Sequence, residues 1–246
     1  MVTDRVAQRR YFVGEGAHDA HFRWQTGAGY FADSERALLA SARLPLDGRL
    51  LEIGCGEGGN LLNLADGGDG RGWAGIDFVP AKVAHAQAHL PAAAFCAADA
   101  EHLPFDADGF DGVLIRDVLH HARDRAAILA EAVRVLRPGG VLAVVEPNRG
   151  SPMILAQALL IPAERGVLHS HAARIDDELA GAGLTEVEVS RAQPLPLARL
   201  FHPRLGLEGL AAALRVPLAV ADAALARVVP RWAWMYVVAR GKKRAS

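Results

Sequence analysis

Between residues 49 and 146 short apolar runs alternate with stretches in which apolar positions recur every three to four residues. The runs are RLLEI (49–53), WAGIDF (73–78), AAFCA (93–97), GVLIR (112–116) and VLAVVE (141–146). Strands separated by helices predict βαβ units, hence a parallel sheet covered by helices on both faces. The clearest helix lies in ARDRAAILAEAVRVLRPGG, where Ile128, Leu129, Ala132, Val133 and Leu136 share one face. Asp124 stands where an N-cap belongs, and Pro138-Gly139-Gly140 is placed to stop the helix and turn the chain into the next strand.

Past residue 146 the alternation loosens. Ser151-Pro152 reads as an N-cap followed by proline in the first turn of a helix, GSPMILAQALLIPA (150–163), that carries no charge at all. Such a helix must be buried, cover a ligand or touch an apolar surface. A short amphipathic helix from Ile175 to Ala182 follows, stopped by Gly183. EVEVSRAQ (186–193) alternates like a strand, and RWAWMYVVAR (231–240) reads as the last one. The segment 194–230 between them is too long for a hairpin loop and is expected to carry helices of its own.

Composition narrows the class. With 246 residues, 51% hydrophobic and 22% charged, the chain reads as one globular domain with elaborations. The formal net charge is -1 and basic residues are dispersed except for Lys242-Lys243-Arg244, so the footprint of nucleic-acid binding is missing. Two cysteines, Cys55 and Cys96, support no disulfide framework, and no Cys/His cluster has the spacing of a metal site, so no metal is expected. The N-terminal MVTDRVAQRR lacks the apolar core of a signal peptide, and no segment reaches a membrane span, so a cytoplasmic protein without integral membrane contact is expected.

The stretch LLEIGCGEGGN (51–60 and the residue before) places glycines directly after the first strand. It contains both Gly54-x-Gly56-x-x-Gly59, the spacing of a dinucleotide loop, and Gly54-x-Gly56-x-Gly58. Asp77, ending the second strand, can accept hydrogen bonds from both hydroxyls of a ribose in either a dinucleotide or an adenosyl cofactor, so it does not choose between them. What separates the two is the set formed by Glu52, Asp99, the pair Phe110-Asp111 and LRPGG (136–140).

On LEIGCGEG (51–58), GIDFVPAKVAHA (75–86), AADAEHLPFDADGFDGVLIRDVLHHARD (97–124) and EAVRVLRPGGVLAVVEPN (131–148), the sequence resembles the class I S-adenosylmethionine-dependent methyltransferases, in particular the methyltransferase type 11 small-molecule group that includes quinone-biosynthesis enzymes. The resemblance implies a Rossmann-like α/β fold: a seven-stranded, mostly parallel sheet with an antiparallel last strand around Trp232 to Val238, helices on both faces and a helical lid. It implies S-adenosyl-L-methionine as cofactor, with Glu52, Gly54, Cys55, Gly56 and Gly58 forming the turn beneath its methionine part. Asp77 would hold the ribose, Phe78 would lie against the adenine, Asp99 and the Ala100 amide would meet the adenine edge, and Arg116, within 115–117, would line the cofactor near its methyl group. The chain then divides into N-terminal helices over the site (1–48), a cofactor-binding core (49–148), lid insertions (149–172 and 194–230) and the last strand (231–240).

Methyl transfer needs a base only when the acceptor must first lose a proton, and Asp117, His120 and His121 follow the fourth strand at the ligand-binding end of such sheets. His121 falls where the family commonly has a histidine whatever the substrate, which makes His120 the sharper candidate for the base. The thiols of Cys55 and Cys96 read as small packing groups. In HFRWQTGAGYFADSER (21–36), Trp24, Tyr30, Phe31 and Arg36 would sit near the cofactor mouth, where Tyr30 either meets cofactor or acceptor or packs in an aromatic core. His169, His171, Arg199 and His202 are polar islands in the lid segments, with His169 and His202 taken as substrate candidates. The scarcity of charge there favours a small apolar acceptor such as an aromatic natural product, a quinone or a prenylated compound, although a homodimer interface would use the same surface. Two other readings stand beside methyl transfer: an NAD(P)-dependent oxidoreductase, supported only by Gly54-x-Gly56-x-x-Gly59, and a non-catalytic methyltransferase-like partner protein.

Overall fold

The computed structural model describes residues 19–27, 29–65, 70–195, 197 and 208–245. Seven strands form one sheet: β1 (Leu50–Ile53), β2 (Ala74–Asp77), β3 (Ala94–Ala97), β4 (Phe110–Arg116), β5 (Leu136–Pro147), β6 (Leu184–Ala192) and β7 (Tyr236–Lys243). Their order is β3-β2-β1-β4-β5-β7-β6, and β7 runs antiparallel to both of its neighbours while β1 to β5 pair in parallel. The Rossmann-like sheet and its antiparallel last strand are as the resemblance implied. The helices are α1 (Asp19–Thr26), α2 (Tyr30–Ser41), α3 (Gly59–Ala65), α4 (Pro80–His89), α5 (Arg125–Val135), α6 (Pro152–Leu160), α7 (Ala172–Gly181), α8 (Glu208–Ala213) and α9 (Arg215–Val228). Among the described residues no helix is long and apolar enough to cross a membrane.

The period of two along each strand splits the core into two layers. Leu51, Ile53, Val113, Ile115, Leu142 and Val144 pack on one face with α5 and α7. Leu50, Leu114, Ala143 and Val145 pack on the other with α2 and α3. The same alternation sends Glu52 and Arg116, each one step beyond a core leucine or isoleucine, to the face that carries α2 and α3. Glu146 goes to the opposite face with Val144.

Three details differ from the sequence pattern. The last strand begins at Tyr236 rather than at residue 231, because the Asn148 side-chain amide donates to the carbonyls of Trp232 (2.9 Å) and Trp234 (2.7 Å) and takes them out of the ladder. Residues Arg231–Ala233 form a 3-10 turn instead, with Trp232 exposed. Strand β5 begins already at Leu136, and Pro138-Gly139-Gly140 forms a bulge within it, the register stepping from Phe110↔Leu136 to Gly112↔Val141. The uncharged helix α6 buries only Ile154 and Ala158, leaving Leu155, Leu159 and Leu160 exposed. Other boundaries follow the pattern closely: Asp124 caps α5 by accepting from the Ala127 amide at 3.0 Å, and the 194–230 segment carries α8 and α9.

Candidate active site

The C-terminal ends of β1, β2, β4 and β5 meet at one edge, where open parallel sheets bind ligands. After β1 the chain turns so tightly that the Gly54 and Cys55 amides both donate to the Ile76 carbonyl at 2.8 Å. Gly54 sits at φ +78, and a Cβ there would lie 2.3 Å from Cγ2 of Val118. Gly54→Ala is therefore expected to cost about 1–2 kcal/mol for the left-handed backbone alone and to push Val118 aside. Chemical denaturation checks it, with Val118→Ala recovering only the steric part. Gly56, at φ +51, has nothing within 4 Å of where a Cβ would be, so open space lies over the turn.

Asp77 braces this turn. Its Oδ2 accepts from the Gly56 amide at 3.1 Å and its Oδ1 from the Val79 amide at 2.8 Å. Burial pushes its carboxyl up, against the pull of those backbone hydrogen bonds and of Lys82. Asp99 also caps its own turn, accepting from the Glu101 amide at 3.0 Å, yet it lies exposed. A carboxylate has about four acceptor positions, so capping a turn leaves both aspartates able to bind a ligand. Phe78 lies exposed beside Asp77, and Ala100 packs at the rim of the core. Cys55 is buried, and burial pushes its thiol far up, so only its backbone belongs to the turn. Gly59 opens α3.

Beneath the turn lies a buried polar network that sequence reasoning did not assemble. Glu52 is fully buried; its Oε1 accepts from Asn60 Nδ2 at 2.6 Å, while Oε2 is buried without a hydrogen-bond partner of good geometry. Burial raises its carboxyl to about 8, despite the opposing pull of Asn60 and Arg116. Asn60 Oδ1 accepts from Arg116 at 2.8 Å and from Gln25 of α1 at 2.9 Å. The Arg116 guanidinium, itself buried, pairs with the buried Glu35 of α2. Glu35 in turn accepts from Gln193 at 3.3 Å. Arg116 is thus engaged below the site: it ties β4 to the N-terminal helices. Sequence offered one signal for this, a charge ending an apolar strand whose partner had to be elsewhere.

On the other face, the chain leaves β4 through Asp117, held at φ +54, a left-handed conformation that aspartate tolerates better than most residues. It then makes a 3-10 turn, Leu119–His121. The fully buried Glu146 organises that turn: Oε1 accepts from the amides of Val118 (2.9 Å) and Leu119 (2.8 Å), and Oε2 from the His120 amide (3.1 Å). Nδ1 of His120 lies 2.7 Å from the same Oε2, and its Nε2 lies 3.5 Å from Glu164. Burial alone would push His120 down, but Glu146 and Glu164 carry it up to about 10. His121, its ring 3.8 Å from that of His120, is pushed down to about 3 by burial and by that neighbour. Both ring nitrogens of His120 face carboxylates, a different setting from that of a free base. Glu146 and Glu164 were not singled out from sequence. The only local signal for Glu146 was an acid closing an apolar strand, as Glu52 closes β1.

The N-terminal helices and the late insertion pack against each other. Tyr30 is buried, with its hydroxyl turned to Asp222 of α9. Arg215 of α9 pairs with Asp33 at 2.9 Å, and Trp24 stacks on Phe31 at 3.6 Å. Tyr30 thus joins an aromatic core, the packing alternative of its two readings. His169 is exposed at the end of the turn Pro162–His169, and His171 caps α7 by accepting from the Arg174 amide at 3.3 Å. Arg199 and His202 lie outside the described residues.

Residues 51–144 match the family model described as a methyltransferase domain. The phthiotriol/phenolphthiotriol dimycocerosates methyltransferase of Mycobacterium leprae (strain TN) is 40% identical over 100 residues, 40% of this chain and 37% of that protein. The demethylmenaquinone methyltransferase of Beutenbergia cavernae is 40% identical over 98 residues, 40% of each chain. The chain thus spans about two fifths of the length of the curated relatives it matches. Over nearly the whole chain, the fold is that of a possible histamine N-methyltransferase of Thermotoga maritima, with TM-score 0.63 at 19% identity, covering 97% of this chain and 95% of that one.

Proposed function

We propose that this chain is a class I S-adenosylmethionine-dependent methyltransferase, as its similarity to such proteins supports, and that it transfers a methyl group from that cofactor to an oxygen or carbon of a small apolar acceptor. The observation that carries the reading is the floor of the glycine turn. There a buried carboxylate, Glu52, has one oxygen without a hydrogen-bond partner of good geometry among the described residues, open space lies over Gly56, and Asp77 braces the turn. A site built for pyrophosphate offers backbone amides to an anion. This floor offers carboxylates, which suit an ammonium, a ribose and a cationic sulfur. Bound S-adenosylmethionine supplies a methyl group on a sulfonium that leaves as a neutral thioether.

The chain's own part is to hold and align. Glu52 and the turn would seat the methionine portion, Asp77 the ribose, and Phe78, Asp99 and Ala100 the adenine. Transfer then requires the acceptor in line about 3 Å from the methyl in a water-poor space, which is chiefly an entropic and positional task. Asp117 and His121, at the end of β4, would border that space. The relatives' names, which concern phenolphthiotriol lipids and demethylmenaquinone, support a hydroxylated or quinonoid apolar acceptor. The exposed leucines of α6 support the same class, and a homodimer would cover them equally well. Dispersed basic residues speak against a nucleic-acid substrate and the low cysteine count agrees with a reducing cytoplasm. Thermal unfolding with S-adenosylhomocysteine and with NAD+ tests the reading. Stabilisation by the first alone is expected, and stabilisation by NAD+ alone would overturn it in favour of an oxidoreductase.

Glu52 gives this binding a pH dependence. Its carboxyl titrates near 8 in the free protein, and a cationic ligand favours the ionised form. Below that pH binding must expel a proton, so cofactor affinity is expected to rise toward pH 8 and level off above it. The same shift means that the folded chain holds a proton the unfolded chain has lost, so the stability of the free protein falls as pH rises from about 4.5 to about 8. Isothermal titration at pH 6, 7, 8 and 9 (roughly spanning that window) in buffers of different ionisation enthalpy reads both the affinity and the released proton. A flat profile would remove Glu52 from the cofactor's ammonium.

A further inference from the structure

We propose that His120, His121 and Glu164 form a binding site for a divalent transition-metal ion, Zn²⁺ being the ion their chemistry fits best. One ligand atom from each lies within 4.8 Å of the others. Around Zn²⁺ with bonds of about 2.0–2.2 Å, ligand atoms stand roughly 3.5 Å apart. The His120 Nε2 to Glu164 separation is already 3.5 Å, and the other separations, all within 4.8 Å, need to close by no more than about 1.3 Å to reach that spacing.

The supporting shell is in place without the ion. A metal-binding histidine commonly has its other ring nitrogen held by a carboxylate or a backbone carbonyl, which fixes the ring's orientation. His120 has this on Nδ1 from Glu146, a carboxylate anchored in turn by three backbone amides. His121 is hydrogen-bonded to the backbone of Ala163, next to Glu164. The segment bringing Glu164 is seated tightly: a Cβ at Gly166 would lie 1.6 Å from the His120 carbonyl oxygen, so that turn packs backbone to backbone on the histidine turn. Two imidazoles and one carboxylate select Zn²⁺ and its transition-metal neighbours over Mg²⁺ and Ca²⁺, which take oxygen ligands. The spacing is invisible in sequence, since adjacent histidines and a glutamate 43 residues further on match no familiar ligand pattern.

Three protein ligands leave the fourth position of a tetrahedral ion open. On the methyl-transfer reading, that position would be available to an acceptor hydroxyl. An ion held there would supply Lewis-acid chemistry: a hydroxyl bound to it would pass its proton to water more readily, and its oxygen would bond the methyl carbon as the sulfur–methyl bond breaks and the sulfur leaves as a neutral thioether. This role rests on that reading, whereas the metal site does not.

The test uses the whole chain, stripped with chelator and titrated with Co²⁺, whose visible absorption reports four-coordination. Expected is one Co²⁺ per chain, displaced by Zn²⁺, with affinity falling at least 10-fold in Glu164→Gln and in His121→Asn. Both side chains lie outside the buried centre of the sheet, so thermal unfolding and S-adenosylhomocysteine binding check that the variants remain folded. If the parent shows no Co²⁺ absorption and no metal by elemental analysis, or if both variants bind as tightly as the parent, the site does not exist. A parent that binds Co²⁺ but not S-adenosylhomocysteine would sink the methyl-transfer reading and leave the metal site standing.

Discussion

Arg116→Met lowers the stability of the free protein by about 3–5 kcal/mol, because it strands a buried carboxylate rather than merely deleting a contact. For a chain of this size the loss corresponds to a fall in Tm of roughly 6–20 °C. Arg116 pairs with Glu35 and bonds Asn60 at 2.8 Å, and burial, opposed by Glu35 and Asp117, still leaves its guanidinium firmly charged. Without it, Glu35 keeps among the described residues only the Gln193 amide at 3.3 Å, and Asn60 loses a donor. The double variant Arg116→Met/Glu35→Leu should recover most of the loss, since replacing both members of a buried pair by apolar groups is often close to neutral. Urea unfolding of the two singles and the double yields the coupling directly. A single variant that loses less than about 1 kcal/mol would show the pair to be solvated, and the floor of the glycine turn to rest on something else.

Asp77→Ala acts on binding rather than on folding. Two charge-assisted hydrogen bonds to a ribose, at about 1.5–3 kcal/mol each, correspond to a loss of at least about 100-fold in cofactor affinity. The free protein should lose far less, because burial works against the ionised carboxyl and offsets its bonds to the Gly56 and Val79 amides. Asp77→Asn keeps one acceptor oxygen and should recover part of the affinity. Asp99→Ala, an exposed site, should cost about tenfold, the value of one hydrogen bond. Calorimetric titration with S-adenosylhomocysteine measures all three. If Asp77→Ala binds as the parent does, Asp77 serves only to cap the turn.

Much of this was legible before any coordinates. The apolar runs placed β1 to β5 to within a few residues: β1, β2, β4 and most of β5 are buried and cannot hide polar positions, and the edge strand β3 is apolar although partly exposed. Asp124 and Gly54 announced their local roles through cap and turn chemistry that acts over three or four residues. Where the reading slipped, a distant group had intervened. The Asn148 side chain takes two carbonyls from the start of the last strand, an interaction spanning 86 residues that no local pattern encodes. Tyr30 turns its hydroxyl to Asp222, on a helix far along the chain, a partner that no local pattern announces. His120 looked like a lone base after a strand because Glu146 and Glu164, which flank its two nitrogens, come 26 and 44 residues later.

The sequence by itself determined the class of fold, the glycine turn and the acids around it, since these depend on period, on backbone freedom and on charges ending apolar strands. Only the tertiary structure decided what each of those charges faces. Arg116 is the counter-ion of Glu35, Glu52 bonds Asn60, and two histidines lie beside a glutamate. The reason is physical: a buried charge is defined by its partner, and partners are chosen by the packing of elements remote in the chain, not by neighbours along it.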